Sequence, residues 1–328
     1  CFTTVGGGCA NCAESCCSTV VGGQCNSASE CYAGIVAGRL NAASGVYSTI
    51  VGGENNIASA RGSFVGGGGS NLATGLSSFV GGGTLNTASS YYDVVGGGKS
   101  NSALAACSTV AGGESNCISS PGTGSFIGGG CTNKSICTCA VVVGGHTNCA
   151  SHIASVVVGG SVNTASGNGS FIGGGFTNKA CCQYGTVVGG CYNIADGDYS
   201  FIGGGNTNTA NSCGTVGGGT SNTACGYSTI VGSGLSNCTY NSKSVIAGGQ
   251  SSCACGDYSF IGSGQLNRTH GSHAGVMTGN ANHACGACSV VGGGELNCTV
   301  GGIHTVVVGG CHNCTIGASN YSFIGGGF

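Results

Sequence analysis

Charge, proline and tryptophan are scarce in this chain of 328 residues. Charged residues make up 5% of the sequence, against about 25% in an ordinary soluble domain. The net charge of −2 provides no positively charged surface for nucleic acid, so we predict no nucleic-acid partner. No apolar run is long enough to cross a bilayer, so we predict no membrane insertion. The single proline argues against collagen, and the glycines do not fall at every third position.

Acidic residues are also too few for the common hydrolytic chemistry. A hydrolase of the tailspike kind needs two carboxylates held a fixed distance apart. Asp196 and Asp198 are the one close pair, they lie in a predicted turn, and the other repeats lack them. The glycine runs lack the following Lys-Ser or Lys-Thr of a phosphate-binding loop. We therefore predict that the chain is not an enzyme and uses no cofactor.

The chain does have an asparagine that returns about every 15 residues, together with Gly 72 and Cys 26. The ladder includes Asn41, Asn56, Asn71, Asn86, Asn163, Asn178 and Asn193, and Ser252 replaces the asparagine in one repeat. A period this short leaves no room for a globular core and is typical of a solenoid in which one repeat forms one coil. We predict an all-β, parallel β-solenoid of about 21 coils that spans residues 1–328 continuously. We expect it to be part of a longer fibre.

The repeat can be numbered from its asparagine, which is position 1. Position 3 is alanine in 15 of 21 coils, positions 9 to 11 are mostly apolar, and glycines follow at positions 12 and 13. Short runs of Val, Ile and Phe bounded by glycine and asparagine predict strands separated by turns. We assign the apolar residues to the core or to an interface between chains: Val65, Val80, Val142, Val157, Ile172, Val188, Ile202, Ile261, Val307 and Ile324.

The charged residues indicate which positions face the solvent. All sixteen of them fall at position 2, at positions 4 to 8 or at position 14, and none falls at position 3 or at positions 9 to 13. Burying an unpaired charge is costly. We therefore predict that the charged windows point outward and that the uncharged positions lie inside.

A single chain of such coils leaves an apolar column exposed. Neighbouring strand residues face opposite sides, so an inward position 10 turns position 9 towards water. Over all the coils this stripe exceeds what a monomer normally exposes. We predict a homotrimer, with a dimer or a two-dimensional sheet as alternatives, and a rod on the order of 100 Å long.

The cysteines form columns as well. Cys238 and Cys253 share position 2 of neighbouring coils, Cys298 and Cys314 do so across a one-residue insertion, and Cys16 and Cys31 share position 6. Stacked coils place such Cα atoms about 5 Å apart, so we predict disulfides between coils at these pairs. Free cysteines in place of Ser or Thr are the alternative. Short Cys-x-x-Cys spacings near His283 and His312 also suit zinc, but no second pair recurs at a fixed distance. We predict no metal site.

The phrase Asn-Thr-Ala-Ser-Gly-Asn-Gly-Ser-Phe-Ile-Gly-Gly-Gly, from Asn163 to Gly175, carries a family resemblance. It resembles the head repeats of trimeric autotransporter adhesins (YadA-like heads) and related repeats in fibres of phages and large DNA viruses. The resemblance implies a left-handed parallel β-roll, three chains around one axis, and a surface used for attachment. This chain departs from the bacterial pattern in its period of 15 rather than about 14 and in its many cysteines. These departures favour a viral or phage fibre.

These observations together predict a structural fibre or adhesin, located outside the cell or on a virion surface. Receptor or glycan contacts would come from positions 4 to 8 and 14, where residue identity varies most. Ice binding is an alternative, because some ice-binding solenoids have fifteen-residue coils, although positions 2 and 4 are not uniformly threonine here. A filament assembled head to tail is a third possibility, because open coil ends can stack.

Overall fold

The computed structural model describes residues 2–317 and 320–328. Within these residues the chain is all-β without a helix, and it forms a parallel β-solenoid of about 21 coils with about 15 residues each. This confirms the predicted fold class. The same residues contain no helix that could span a bilayer.

The chain divides into two compact units, Cys1–Ser166 and Gly167–Phe328. In each unit a coil contributes two strands of two residues. We call the strands at positions 9 and 10 the valine column and those at positions 2 and 3 the alanine column.

In unit 1 the strands of the valine column are Thr4–Val5, Thr19–Val20, Gly34–Ile35, Thr49–Ile50, Phe64–Val65, Phe79–Val80, Val94–Val95, Thr109–Val110, Phe126–Ile127, Val141–Val142 and Val156–Val157. Those of the alanine column are Cys12–Ala13, Ser27–Ala28, Ala42–Ala43, Ile57–Ala58, Leu72–Ala73, Thr87–Ala88, Ser102–Ala103, Cys117–Ile118, Lys134–Ser135, Cys149–Ala150 and Thr164–Ala165.

In unit 2 the strands of the valine column are Phe171–Ile172, Thr186–Val187, Phe201–Ile202, Thr215–Val216, Ile230–Val231, Val245–Ile246, Phe260–Ile261, Gly275–Val276, Val290–Val291, Val306–Val307 and Phe323–Ile324. Those of the alanine column are Lys179–Ala180, Ile194–Ala195, Thr209–Ala210, Thr223–Ala224, Cys238–Thr239, Cys253–Ala254, Arg268–Thr269, His283–Ala284, Cys298–Thr299 and Cys314–Thr315.

Each strand pairs in parallel with the equivalent residues of the next coil. Val65, for example, lies in register with Val80, and Ala73 with Ala88. A third line of parallel bridges joins the coils at position 14, as between Arg39 and Glu54. Because the register repeats with the sequence period, like residues stack on like residues within each unit.

The interior of each unit is lined by positions 1, 3, 8 and 10. Val65 and Ala73 in unit 1 and Ile172 in unit 2 are fully buried. Of the residues assigned to the core or interface, Val80, Val142, Val157, Ile202, Ile261 and Val307 are also fully buried, and Ile324 is partly buried.

Val188, assigned to the core or to an interface, lies outside the core, and its place at an interface stays a prediction. Val188 is exposed, and Val187 takes the inward place in its coil. The reason is the alternation of side chains along a strand, because a shift of one residue moves a side chain to the other face.

The prediction that positions 9 to 13 lie inside holds for position 10 from Val20 to Val307 but is wrong for positions 9 and 11, and the glycines at positions 12 and 13, apart from Gly293, are not buried either. Phe79 at position 9 is 38% exposed and Val51 at position 11 is 43% exposed. The strand alternation turns both positions outward while position 10 points in. Burial within the chain therefore does not explain why charge is absent from positions 9 and 11.

The asparagine at position 1 links each coil to its neighbours. The Nδ2 of Asn56 donates to the carbonyl oxygens of Gly52 at 3.0 Å and Gly68 at 2.9 Å. The Oδ1 of Asn56 accepts from the backbone N–H of Asn71 at 2.9 Å. Its own backbone N–H donates to the Oδ1 of Asn41 at 3.0 Å. One buried side chain thus satisfies three backbone groups, which belong to the preceding repeat (Gly52), to its own repeat (Gly68) and to the next repeat (Asn71).

Glycine at position 13 makes this arrangement possible. Gly53 has a φ of 91°, a backbone conformation that residues other than glycine rarely adopt. A Cβ at Gly53 would collide with the carbonyl oxygen of Gly68, and it would lie 2.7 Å from the Nδ2 of Asn56. The glycine therefore provides the space in which the asparagine amide crosses to the next coil.

We predict that Asn56→Ala lowers the free energy of unfolding by about 2–4 kcal/mol. The substitution removes the partner of one buried N–H, at about 1–3 kcal/mol, and of two carbonyls in part-buried hydrogen bonds, which solvent reaches at a lower cost. Asn56→Ser should recover part of the loss, because the Ser252 hydroxyl in the same position accepts from the Asn267 N–H at 3.3 Å. The measurement is denaturant unfolding followed by circular dichroism.

The adjacent asparagine provides the matched control. Asn55 is exposed at position 15 with a φ of 55°, and Ser70 takes the same place in the next coil with a φ of 54°. Asn55→Ser should change stability by less than about 0.5 kcal/mol. Equal losses for the Asn55 and Asn56 variants would contradict the ladder.

We also predict that Val142→Asp destabilises the fold by about 4 kcal/mol or more, because it places an unpaired carboxylate in the interior. Glu54→Ala should cost less than about 1 kcal/mol, because Glu54 forms only an exposed ion pair with Arg39. Thermal unfolding of the two variants measures the difference. Equal tolerance of both changes would refute the inward assignment of position 10.

Candidate functional site

The outward side of positions 9, 11 and 12 forms a smooth apolar surface in each unit, which we call the valine face. Every phenylalanine at position 9 is followed by glycine at position 11, as in Phe64 and Gly66. A Cβ on Gly66 would collide with the carbonyl oxygen of Gly81 in the next coil, and it would lie 3.5 Å from the Cε1 of Phe64, so the aromatic ring lies beside a position that the backbone keeps bare. Valine at position 11 occurs instead after Thr, Gly or Val, as in Thr49 and Val51. The bulk at positions 9 and 11 is thus balanced in these coils, whereas others, such as the coil with Val94 and Gly96, have neither phenylalanine at position 9 nor a side chain at position 11.

A second outward surface is the turn at positions 6 and 7, which we call the aromatic corner. Its position 7 has a left-handed backbone, with a φ of 62° at Tyr47. Tyr32 stacks on Tyr47 with ring centroids 4.9 Å apart, and the Arg61 guanidinium lies 5.9 Å from the Tyr47 centroid. In unit 2 the Nζ of Lys243 lies 5.0 Å from the ring centroid of Tyr258. Exposed rings and cations of this kind suit recognition of another molecule.

The charges at position 14 pair with each other across coils. Arg39 forms an ion pair with Glu54, and the Nζ of Lys99 lies 3.0 Å from the Oε1 of Glu114. All four side chains are more than half exposed, so these pairs contribute little to stability.

The candidate disulfide cysteines carry free thiols in this structure. Strand register pairs Cys238 with Cys253 and Cys298 with Cys314. The sulfur of Cys31 lies 3.3 Å from the Oγ of Ser15. Disulfides between coils at the three predicted pairs, including Cys16 with Cys31, therefore remain a proposal.

Partial burial changes the acidity of the paired thiols. Desolvation, followed by the neighbouring thiols, raises the pKa of Cys238 and of Cys298 to about 12. Desolvation together with Cys255, whose sulfur lies 3.0 Å away, raises the pKa of Cys253 to about 12. The thiolate is the nucleophile and the metal ligand. These cysteines therefore stay largely protonated at neutral pH, so their oxidation to disulfides is slower than that of an ordinary thiol.

Among residues 2–317 and 320–328, no group of three or more His, Cys, Asp or Glu side chains is arranged to hold a metal ion. His283 lies in register with Arg268 and Cys298. Burial and the Arg268 charge lower the pKa of His283. No pocket is present in the part of the chain that the structure describes.

The prediction that all charged residues point outward is wrong for Asp93. Asp93 occupies position 8, which is serine in the neighbouring coils, and it is fully buried. Its Oδ2 accepts from the Ser90 N–H at 2.7 Å, and its Oδ1 accepts from the Ser108 hydroxyl at 3.0 Å. These bonds allow a carboxylate to replace serine inside the coil. Desolvation is nevertheless the largest effect on this carboxyl and raises its pKa.

Comparison with protein-family models and with curated proteins finds no match to this chain. The function must therefore be argued from the surfaces described above.

Asp93 provides a test by pH. Its folded-state pKa is raised, so its contribution to stability is fully present below the unfolded pKa of about 3.9 and is lost as the pH rises through the folded pKa. We predict that Asp93→Ser stabilises the fold at pH 7 by on the order of 1 kcal/mol, and that the advantage shrinks towards pH 3.5.

Asp93→Asn is the control, because it removes the titration while keeping the size of the side chain. Unfolding curves of the wild type and both variants from pH 3.5 to 8 measure the effect. A stability difference that stays constant across this range would contradict the burial of an ionisable Asp93.

Proposed function

We propose that this chain is a structural segment of a fibre or adhesin, outside the cell or on a virion surface. It acts as a rigid, self-associating scaffold for attachment and not as a catalyst. The observation that carries the proposal is that the inward and outward positions of the repeat have different residue types. The inward positions are nearly invariant, the valine face is apolar and uncharged, and the corners vary from coil to coil.

Exposure of the valine face supports self-association. Phe79, Phe126 and Val51 each expose more than a third of their surface, and their columns continue along each unit without a charge. Monomers seldom expose a continuous apolar patch of this kind. We propose a homotrimer, in which each chain covers the exposed column of its neighbours, and end-to-end stacking of coils is compatible with the same surface.

The corners support a role in attachment. The aromatic corner and position 14 present tyrosines, cations and carboxylates whose identity differs between coils. Rigid aromatic side chains bind partners at low cost in conformational entropy. We propose a receptor or glycan on a host surface as the partner of these positions.

The fold is equally compatible with an ice-binding solenoid. The outward residues of the alanine column do not favour that function, because Lys134, Lys179 and Arg268 interrupt it. A flat and uniform face is what ice binding would require.

The native mass by light scattering, with and without reductant, tests the proposal. We expect three times the chain mass of 31.2 kDa, at concentrations near those in which fibres assemble. A change of mass or a loss of stability on reduction would show that disulfides contribute. A clean monomer would contradict the self-associating scaffold and would make ice binding the leading hypothesis.

A further inference from the structure

Position 12 in unit 1 is glycine in all its coils except one, which has Ala37. Unlike Gly53 at position 13, these glycines have open space where a side chain would be. A Cβ on Gly22, Gly144 or Gly159 would meet nothing within 4 Å. At Gly82 and Gly97 the nearest atom would be a carbonyl oxygen 3.8 Å away. Contacts inside the chain therefore do not exclude a side chain here.

Except at Gly67 and Gly129, whose φ values are 154° and 156°, the backbone at position 12 does not require glycine either. Ala37 in unit 1, and Ser233, Ser263 and Thr278 in unit 2, occupy the same position without a left-handed φ. Their carbonyl oxygens still accept the asparagine bond, as Ala37 O does from Asn41 Nδ2 at 3.3 Å and Thr278 O from Asn282 Nδ2 at 3.1 Å. Apart from Gly67 and Gly129, neither the fold nor the asparagine ladder thus accounts for the glycines of this column.

The absence of side chains at position 12 coincides with the balanced bulk at positions 9 and 11. In unit 1 a phenylalanine at position 9, such as Phe126, is followed by glycine at position 11, here Gly128, where a Cβ would collide with the carbonyl oxygen of Val143 and lie 3.2 Å from the phenylalanine ring. Where position 11 is valine, as at Val143, position 9 is smaller than phenylalanine. Positions 9 and 11 thus form an apolar ridge, and position 12 forms a strip of bare backbone beside it. Both are uncharged, and both repeat once per coil. Glycine columns of this kind permit the close approach of another backbone.

From this geometry we infer that the valine face of unit 1 is a homotypic interface, in which a second copy of this chain packs closely against the glycine strip at position 12. The inference rests on the proposal that the chain is a self-associating scaffold, and it names the face and the contact. Glycines outside the strip, such as those at position 13, are required by contacts inside the chain.

Two features favour a second copy as the occupant. The ridge and strip repeat at the coil spacing, and a partner with the same repeat matches them along the whole unit. The valine column of unit 1 contains ten coil-to-coil steps, which at about 4.8 Å each give a length of about 48 Å. Four extended residues give a width of about 13 Å. The face thus offers about 600 Å² per partner, approaching the roughly 800 Å² of a stable interface.

The test compares the native mass of the wild-type chain with that of variants in the strip. Gly144→Ile with Gly159→Ile adds apolar bulk where no atom of the chain lies within 4 Å, so the coil itself tolerates the change. Gly144→Arg with Gly159→Arg adds bulk and charge. Ser151→Arg with Ser166→Arg is the control, because it places the same charges at position 4 of two adjacent coils, those that begin at Asn148 and Asn163. Circular dichroism and thermal unfolding verify that each variant remains folded.

We expect the wild type and the position 4 control to share one oligomeric mass, and both strip variants to shift to the 31.2 kDa monomer. An oligomer that survives both strip substitutions would overturn the inference while leaving the scaffold proposal intact. Loss of the oligomer in the arginine variant alone would show an apolar contact without close approach and would also overturn it. A wild-type monomer would refute the scaffold proposal itself.

Discussion

The hydrogen bonds of the position 1 asparagine are the constraint on which the rest of this structure depends. A coil of about fifteen residues encloses too little apolar volume to hold its own shape, and a two-residue strand is short for any sheet. The amide of an asparagine such as Asn86 supplies what the small core lacks, because it bonds Gly82 at the end of the preceding repeat and Gly98 near the end of its own repeat. The requirement for glycine at position 13 follows directly from that geometry.

Once the asparagine ladder fixes the shape of the coil, the remaining positions fall into two groups. One group packs in the interior, and the other places side chains on the surface. Positions 3, 8 and 10 accept small or β-branched side chains, and the buried carboxylate of Asp93 is stabilised only by three hydrogen bonds to Ser90 and Ser108. The outward positions are free of this constraint. The conservative valine face and the variable corners therefore reflect different demands, self-association in the first case and attachment in the second, as we propose.

The period, the strand positions and the fold class could be predicted from the sequence, because a repeat of fixed length imposes one register on every coil. The finer assignments failed where a local pattern was ambiguous. Thr186-Val187-Val188 can be read in two frames, and only the backbone decides which valine points in. Absence of charge was taken as burial at positions 9 and 11, although an interface between chains has the same signature. Asp93 was missed because residue type alone gives no sign of its hydrogen-bond partners, whereas its place in a serine position was a usable signal.

Hydrogen exchange of the asparagine side-chain amides, followed by NMR, tests the central claim most directly. The account predicts that the Nδ2 protons of Asn56, Asn71 and Asn86 exchange orders of magnitude more slowly than those of the exposed Asn55 and Asn241, because only the former are buried and bonded to carbonyls. Exchange at similar rates in both groups, in a chain that remains folded, would contradict the ladder and the coil built on it.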